Sequence, residues 1–175
     1  HLDYHPDMAA YRDAKLRLFT ELMADSAAAI VNVDDPEHAP FALAALDREA
    51  TLLTVGKEGA FLEIGKVVPE GYGQRVTGRL LGVPVSFYLP LTGEFQVSNA
   101  GVALGLAMST GVPRDKAVAA LSGLRGAKGR IELVGEHNGA AIFVDYSHKP
   151  VALETVLAAL DREATLLTVG KEGAF

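Results

Sequence analysis

Residues 26 to 56 read SAAAIVNVDDPEHAPFALAALDREATLLTVG, and they set the fold class. Ala29, Ile30, Val31 and Val33 form a short apolar run of the kind found in a buried parallel strand. Pro36 opens a stretch to Asp47 that suits a short helix, because proline fits a first helical turn. Thr51 to Val55 is a second apolar strand, closed by Gly56. Strand, helix, strand is the repeating unit of an α/β fold with a parallel sheet. Asn32, Asp34 and Asp35 fall at or near the C-terminal end of the first strand, where open α/β sheets place ligands. Asp34, Asp35 and Pro36 serve equally well to turn the chain and cap the next helix. Gly56-Lys57-Glu58-Gly59 reads as a turn, since the phosphate-loop pattern GxxxxGK[ST] occurs nowhere in the chain.

Upstream lies HLDYHPDMAAYRDAKLRLFTELM, residues 1 to 23. Pro6 suits the first turn of a helix, and Asp7 and Asp13 favour its N-terminal half. Met8, Tyr11, Leu18 and Leu22 share one helical face, widened by Leu16, Phe19 and Met23. Lys15 falls on that stripe, where an apolar residue is expected. Its stem can pack on the core while its head reaches water. Alternatively it is held partly buried, with a lowered pKa, and its free amine reacts with CO2. The resulting carbamate is an anion able to bind Mg2+. His1, Asp3 and His5 alternate just before the helix, so an extended segment would set them on one face as metal-ligating groups.

The pattern HLDYHxDMxxYxxAKxxLF resembles the central domain of the bacterial Mur ligases. Within that family it is most similar to the branch that adds the third peptide residue to UDP-N-acetylmuramoyl-dipeptide. The resemblance implies that His1 and a carbamylated Lys15 hold Mg2+. Pro6 stands where the family usually has glycine.

Further along, residues 60 to 68 and 74 to 90 alternate as strands, with Gly82 and Pro84 at a hairpin turn. They predict a small antiparallel flank on the parallel sheet. Val97, Ala100, Leu104 and Met108 imply a helix from about Gln96 to Ser109, ended by Gly111 and Pro113. The stretch LPLTGEFQVSNAG resembles the family motif LxGxxNxxN, which contacts the adenine of ATP. Leu91, Gly93 and Asn99 match it, and Gln96 stands where asparagine is usual. Glutamine also carries an amide able to donate and accept at a base edge. The same residues also fit the polar opening of an amphipathic helix.

Pro113 to Leu124 reads as a short helix with Ala117, Ala120 and Leu121 inward. GLRGAKGRIELV, residues 123 to 134, has the glycine and basic content of a hinge and resembles the family segment GxxGRxE. That resemblance assigns Arg130 to the nucleotide phosphates, a role suited to a bidentate guanidinium. Two strands around His137-Asn138-Gly139 form a hairpin of the Asn-Gly type. DYSHKP, residues 145 to 150, matches the family's DYxHxP, which places Asp145 and His148 by the ATP; Val151 replaces the usual aspartate.

The fold expected is α/β. Residues 1–128 are a partial Mur-ligase central domain with a mostly parallel sheet flanked by helices. Residues 129–175 are the first βαβ-like piece of a Rossmann-like C-terminal domain. Residues 157 to 175 repeat residues 43 to 61 identically, as LAALDREATLLTVGKEGAF. Natural repeats diverge, and nothing else recurs, so this is no solenoid. Engineering, a recent duplication joined at the shared LAAL, or a fault in the recorded sequence would each produce it. The second copy predicts a strand at Thr165 to Val169 followed by Gly170.

The net charge of −6 argues against a nucleic-acid partner. Without cysteine there is neither a disulfide framework nor a thiolate metal site. No apolar run approaches the roughly 18 residues of a membrane span. A cytoplasmic protein is the expectation, and a first residue inside a motif reads as a fragment.

The resemblance implies an ATP-dependent amide ligase of peptidoglycan precursor synthesis. Its partners would be a UDP-muramoyl-dipeptide and an amino acid, either diaminopimelate or lysine, joined through an acyl phosphate with ATP and Mg2+. With no phosphate loop, the chain alone is expected not to turn over. Two other readings are a non-catalytic or engineered fragment and a folylpolyglutamate-synthetase-like ligase.

Overall fold

The computed structural model describes residues 4–160. The chain divides into two compact units, one running to Leu124 and the other starting at Arg125.

The first unit opens with α1, Met8–Arg17, and a π-helical turn at Leu18–Leu22. Asp7 caps α1: its carboxylate accepts from the Ala10 N–H at 2.8 Å. Pro6 therefore precedes the cap rather than starting the helix. Strand β1 (Ala28–Asn32), helix α2 (Ala39–Asp47) and strand β2 (Thr51–Gly56) follow, and β1 and β2 pair in parallel. Strand β3 (Leu62–Glu70) runs parallel to β2, while β4 (Gly73–Leu80) and β5 (Val83–Leu89) add antiparallel edges. The sheet order is β1-β2-β3-β4-β5, so parallel and antiparallel pairings contribute two each and the sheet is mixed. Leu81 and Gly82 make the β4–β5 turn, both at positive φ, which matches the twist of a tight hairpin. Pro84 lies within β5, opposite Arg79.

Helix α3, Glu94–Ser109, starts two residues earlier than its apolar spacing indicates. Its stripe of Val97, Ala100 and Leu104 is buried with Val55, Leu62, Val76, Leu80 and Leu89. Gly101 and Gly105 let the helix backbone approach the sheet. A Cβ at Gly101 would lie 2.6 Å from Val55 and 2.8 Å from Leu62. Helix α4, Arg114–Leu121, buries Ala117 and Leu121. Ala120, expected inward, is exposed.

Ile30 of β1 packs against this main core, whereas Ala29 joins a second cluster with Ala45 and Ala50, flanked by Phe19, Met23 and Leu52. Alternate residues of the strand thus serve two cores. Of the stripe expected on α1, Phe19 and Met23 reach the second cluster, while its N-terminal part stays outside both. The helix has no buried residue, and Met8, Leu18 and Leu22 are 61%, 55% and 71% exposed. Periodicity put these three side chains on one face, and among the described residues all three stay largely exposed.

In the second unit, β6 (Glu132–His137) and β7 (Ala140–Val144) form an antiparallel hairpin, and α5 (Pro150–Leu160) follows. Asn138 and Gly139 make its turn, both at positive φ, as the Asn-Gly pair predicts. The first LAAL, residues 43 to 46, lies in α2, and the second, residues 157 to 160, ends α5. The strand expected at Thr165 to Val169 lies outside the described residues, as do His1 and Asp3.

Candidate functional site

Lys15 is exposed, with its Nζ 4.4 Å from the Tyr11 ring centroid, a cation–π contact. Of the two arrangements open to it, Lys15 has its head at the surface rather than partly buried. His5 lies beside the same tyrosine, with ring centroids 5.3 Å apart. Two ties hold α1 and the π turn to α2 and the segment leading into it: Arg12 meets Glu37 at 3.0 Å, and Phe19 meets Phe41 edge-on at 5.4 Å. Among the described residues no group of three or more acidic, histidine or cysteine side chains could hold a metal ion. His1, the other candidate ligand, lies outside them.

The acids at the end of β1 are occupied in local structure. Asn32 accepts from the Asp34 N–H at 3.1 Å, and Asp35 accepts from the Glu37 N–H at 2.8 Å. Asp34 accepts from the Lys57 N–H at 2.9 Å, tying the turn after β2 to the end of β1. These contacts turn and brace the chain at the end of β1. A cleft of about 200 Å³ opens between Phe19, Phe41, Asn32 and His38. That is below the roughly 300 Å³ at which small-molecule sites begin.

The N-terminal end of α3 has a different character. Gln96 and Asn99 stand one turn apart, and the Asn99 Nδ2 donates to the Gln96 Oε1 at 3.3 Å. That pairing leaves the Gln96 amide N–H groups and the Asn99 carbonyl oxygen for a ligand. A donor beside an acceptor complements the N6 amine and ring-nitrogen acceptors of adenine. The carbonyls of Leu91 and Gly93, just before the helix, are held by Gln74 of β4. Its Nε2 donates to both, at 2.7 and 2.8 Å. Sequence reasoning passed over Gln74. The signal was a polar residue at an inward-facing strand position, in register with Val76 and Leu80.

In the second unit, Asp145 joins two segments 14 residues apart. One oxygen accepts from the Ile131 N–H at 2.8 Å, and the other accepts from the Ser147 N–H at 2.7 Å and from its hydroxyl. Burial works against the charge. Hydrogen bonds from Ser147 and Ile131, with the field of Arg130, outweigh it and hold the carboxyl below its ordinary value. Ile131 is buried at φ +46, a left-handed conformation that a β-branched residue adopts only when held there. Glu132 accepts from the Gly129 N–H at 2.8 Å, and Gly129, at φ +69, lies under the Tyr146 ring. Arg130 sits exposed at the tip of this knot. The His148 Nδ1 donates to the Tyr146 carbonyl at 2.9 Å, which leaves Nε2 as an outward acceptor in the neutral ring. Arg130, Asp145 and His148 are thus brought together. Glu132 is the glutamate of the GxxGRxE segment, whereas the braces Ile131 and Ser147 fall at variable positions of the two motifs.

An α/β unit with this mixed sheet recurs in solved amide ligases. A structure described as UDP-N-acetylmuramoyl-L-alanyl-D-glutamate--2,6-diaminopimelate ligase superposes with a TM-score of 0.76 at 27% identity, covering 94% of this chain and 34% of that one. The MurF ligase of Thermotoga maritima in complex with ADP gives 0.73 at 21% identity, covering 91% and 36%, a likeness of fold. The family described as Mur ligase middle domain matches residues 1–107, and the chain belongs to it. A relative from Chelativorans sp., named UDP-N-acetylmuramoyl-L-alanyl-D-glutamate--2,6-diaminopimelate ligase, is 50% identical over 161 residues, which is 91% of this chain and 33% of the relative. The chain spans about a third of the length of the curated relatives it matches.

Proposed function

We propose that this chain is the nucleotide-contacting portion of an ATP-dependent ligase that joins diaminopimelate to UDP-N-acetylmuramoyl-L-alanyl-D-glutamate. What supports the reading is 50% identity, across 91% of the chain, to a relative bearing that name. The Gln96–Asn99 pair is the candidate for the adenine edge. In the second unit, Arg130 is the candidate for phosphate oxygens, and Asp145 and His148 for the rest of the nucleotide. Arg130 would neutralise charge that grows as a phosphoryl group moves to a carboxylate, an electrostatic contribution that needs a fixed, pre-aimed guanidinium. The knot of Glu132, Gly129 and Tyr146 holds the backbone on either side of Arg130. Attack on the acyl phosphate by the amine of the amino acid would complete the amide bond. The reading places the reaction in the cytoplasm, with ATP. Mg2+ is the expected companion of the nucleotide, with His1 and Lys15 its candidate positions; the described residues add no third ligand.

Isothermal titration of the purified chain with Mg·ADP tests the reading. Binding is expected, weakened about tenfold or more by Arg130→Ala, in line with loss of a charge-assisted hydrogen bond. No ligation by the chain alone is expected. Absence of binding to the unaltered chain would overturn the assignment of these residues.

A further inference from the structure

Among the described residues one charged or polar side chain is buried in the core, Gln74, at 5% exposure. An apolar residue would fill that inward position of β4 at less desolvation cost. The carboxamide spends both N–H groups on the backbone carbonyls of Leu91 and Gly93. Gly93 precedes α3 at φ +97, a conformation with little intrinsic preference for the helix entry seen here. A second tie runs beside the first: the Thr92 hydroxyl donates to the Tyr72 carbonyl at 2.8 Å. Gly73 completes the seam, since a Cβ there would lie 2.4 Å from the Leu89 carbonyl. The β3–β4 turn and the segment leading into α3 are therefore locked together. Gln96 and Asn99 sit in the first turns of that rigid helix, so any movement at Gly93 carries both amides with it.

We propose that Gln74 is a positioning residue that sets where the Gln96 and Asn99 amides meet the nucleotide base. The proposal rests on the nucleotide reading above. Gln74 touches no ligand; it fixes the entry of α3 through the two carbonyls.

The test titrates the chain with Mg·ADP and follows the side-chain amide NMR signals of Gln96 and Asn99. It compares Gln74→Met and Gln74→Asn, each alone and combined with Asn99→Ala. The expected result is a rise in Kd of about tenfold for Gln74→Met, the size of one misaligned hydrogen bond. Gln74→Asn, which keeps an amide of shorter reach, is expected to fall between. In the Asn99→Ala background the effect of either substitution should shrink, because one of the two positioned amides is gone, whereas the full effect would remain if nothing were being positioned. A loss through general destabilisation would persist there. Unchanged affinity in Gln74→Met, or the same loss with and without Asn99, overturns the positioning role and leaves the nucleotide reading standing. No shift of Gln96 or Asn99 in the unaltered chain overturns both. If Gln74→Met does not fold, Gln74→Asn carries the same comparison.

Discussion

Replacing Asp145 by alanine should loosen the second unit at two named amides. The carboxylate accepts from the Ile131 and Ser147 N–H groups and from the Ser147 hydroxyl. At about 1 kcal/mol net for each bond, the loss is about 3 kcal/mol. Releasing Ile131 from its left-handed conformation returns about 1 kcal/mol. The balance is about 2 kcal/mol, or roughly 30-fold in the local opening equilibrium. Hydrogen exchange should therefore show the Ile131 and Ser147 amides losing about 30-fold in protection. Amides of β2 and β4 serve as the internal reference. The unaltered chain should show the same loss with acid. Because the folded carboxyl lies below its ordinary value of 3.8, its contribution is complete above that value. It disappears as the pH falls through the folded-state value. If Ile131 and Ser147 exchange at the same rate with and without Asp145, the clamp does not exist.

Two glycine substitutions probe the sheet. Gly101→Ala should favour α3 by about 1 kcal/mol on helix propensity alone. The new Cβ would press on Val55 and Leu62, which are 0% and 1% exposed, so a net loss of about 1 kcal/mol is expected. Thermal unfolding followed by circular dichroism decides it: a higher midpoint means the core yields. Gly78→Ala places a Cβ 2.0 Å from the Glu63 carbonyl oxygen, opposite the irregular register at Ile64 and Lys66. Backbone cannot rotate away as a side chain can, so a loss of about 3 kcal/mol is expected. A urea midpoint within error of the parent would contradict it.

Where spacing alone settles a question, the sequence was legible. Val97, Ala100 and Leu104 recur with the helical period, and they are the buried face of α3. Thr51 to Val55 is a β2 strand, and Asn138-Gly139 is the turn its residues demand. Gln96 and Asn99, three apart, share one face of α3. The same logic overstated how much of the α1 stripe is covered, because a period reports which residues point together and not what lies opposite them. Lys15 was expected among apolar neighbours for that reason. Partnerships across long separations were invisible for another reason. Nothing near Asp145 reveals that it will hold Ile131, and nothing near Gln74 announces Leu91 and Gly93. Such pairs exist only once the strands are in register.

The division of the sheet into a meander and a parallel pair also orders events in time. Strands β3, β4 and β5 are joined by two-residue turns, so their pairing closes short loops at little entropic cost. Strands β1 and β2 can meet only after the intervening chain has coiled into α2 and crossed over. The hairpin half is thus the natural nucleus, onto which the parallel half condenses. Damage in β4 should slow refolding, while damage in β1 should chiefly hasten unfolding.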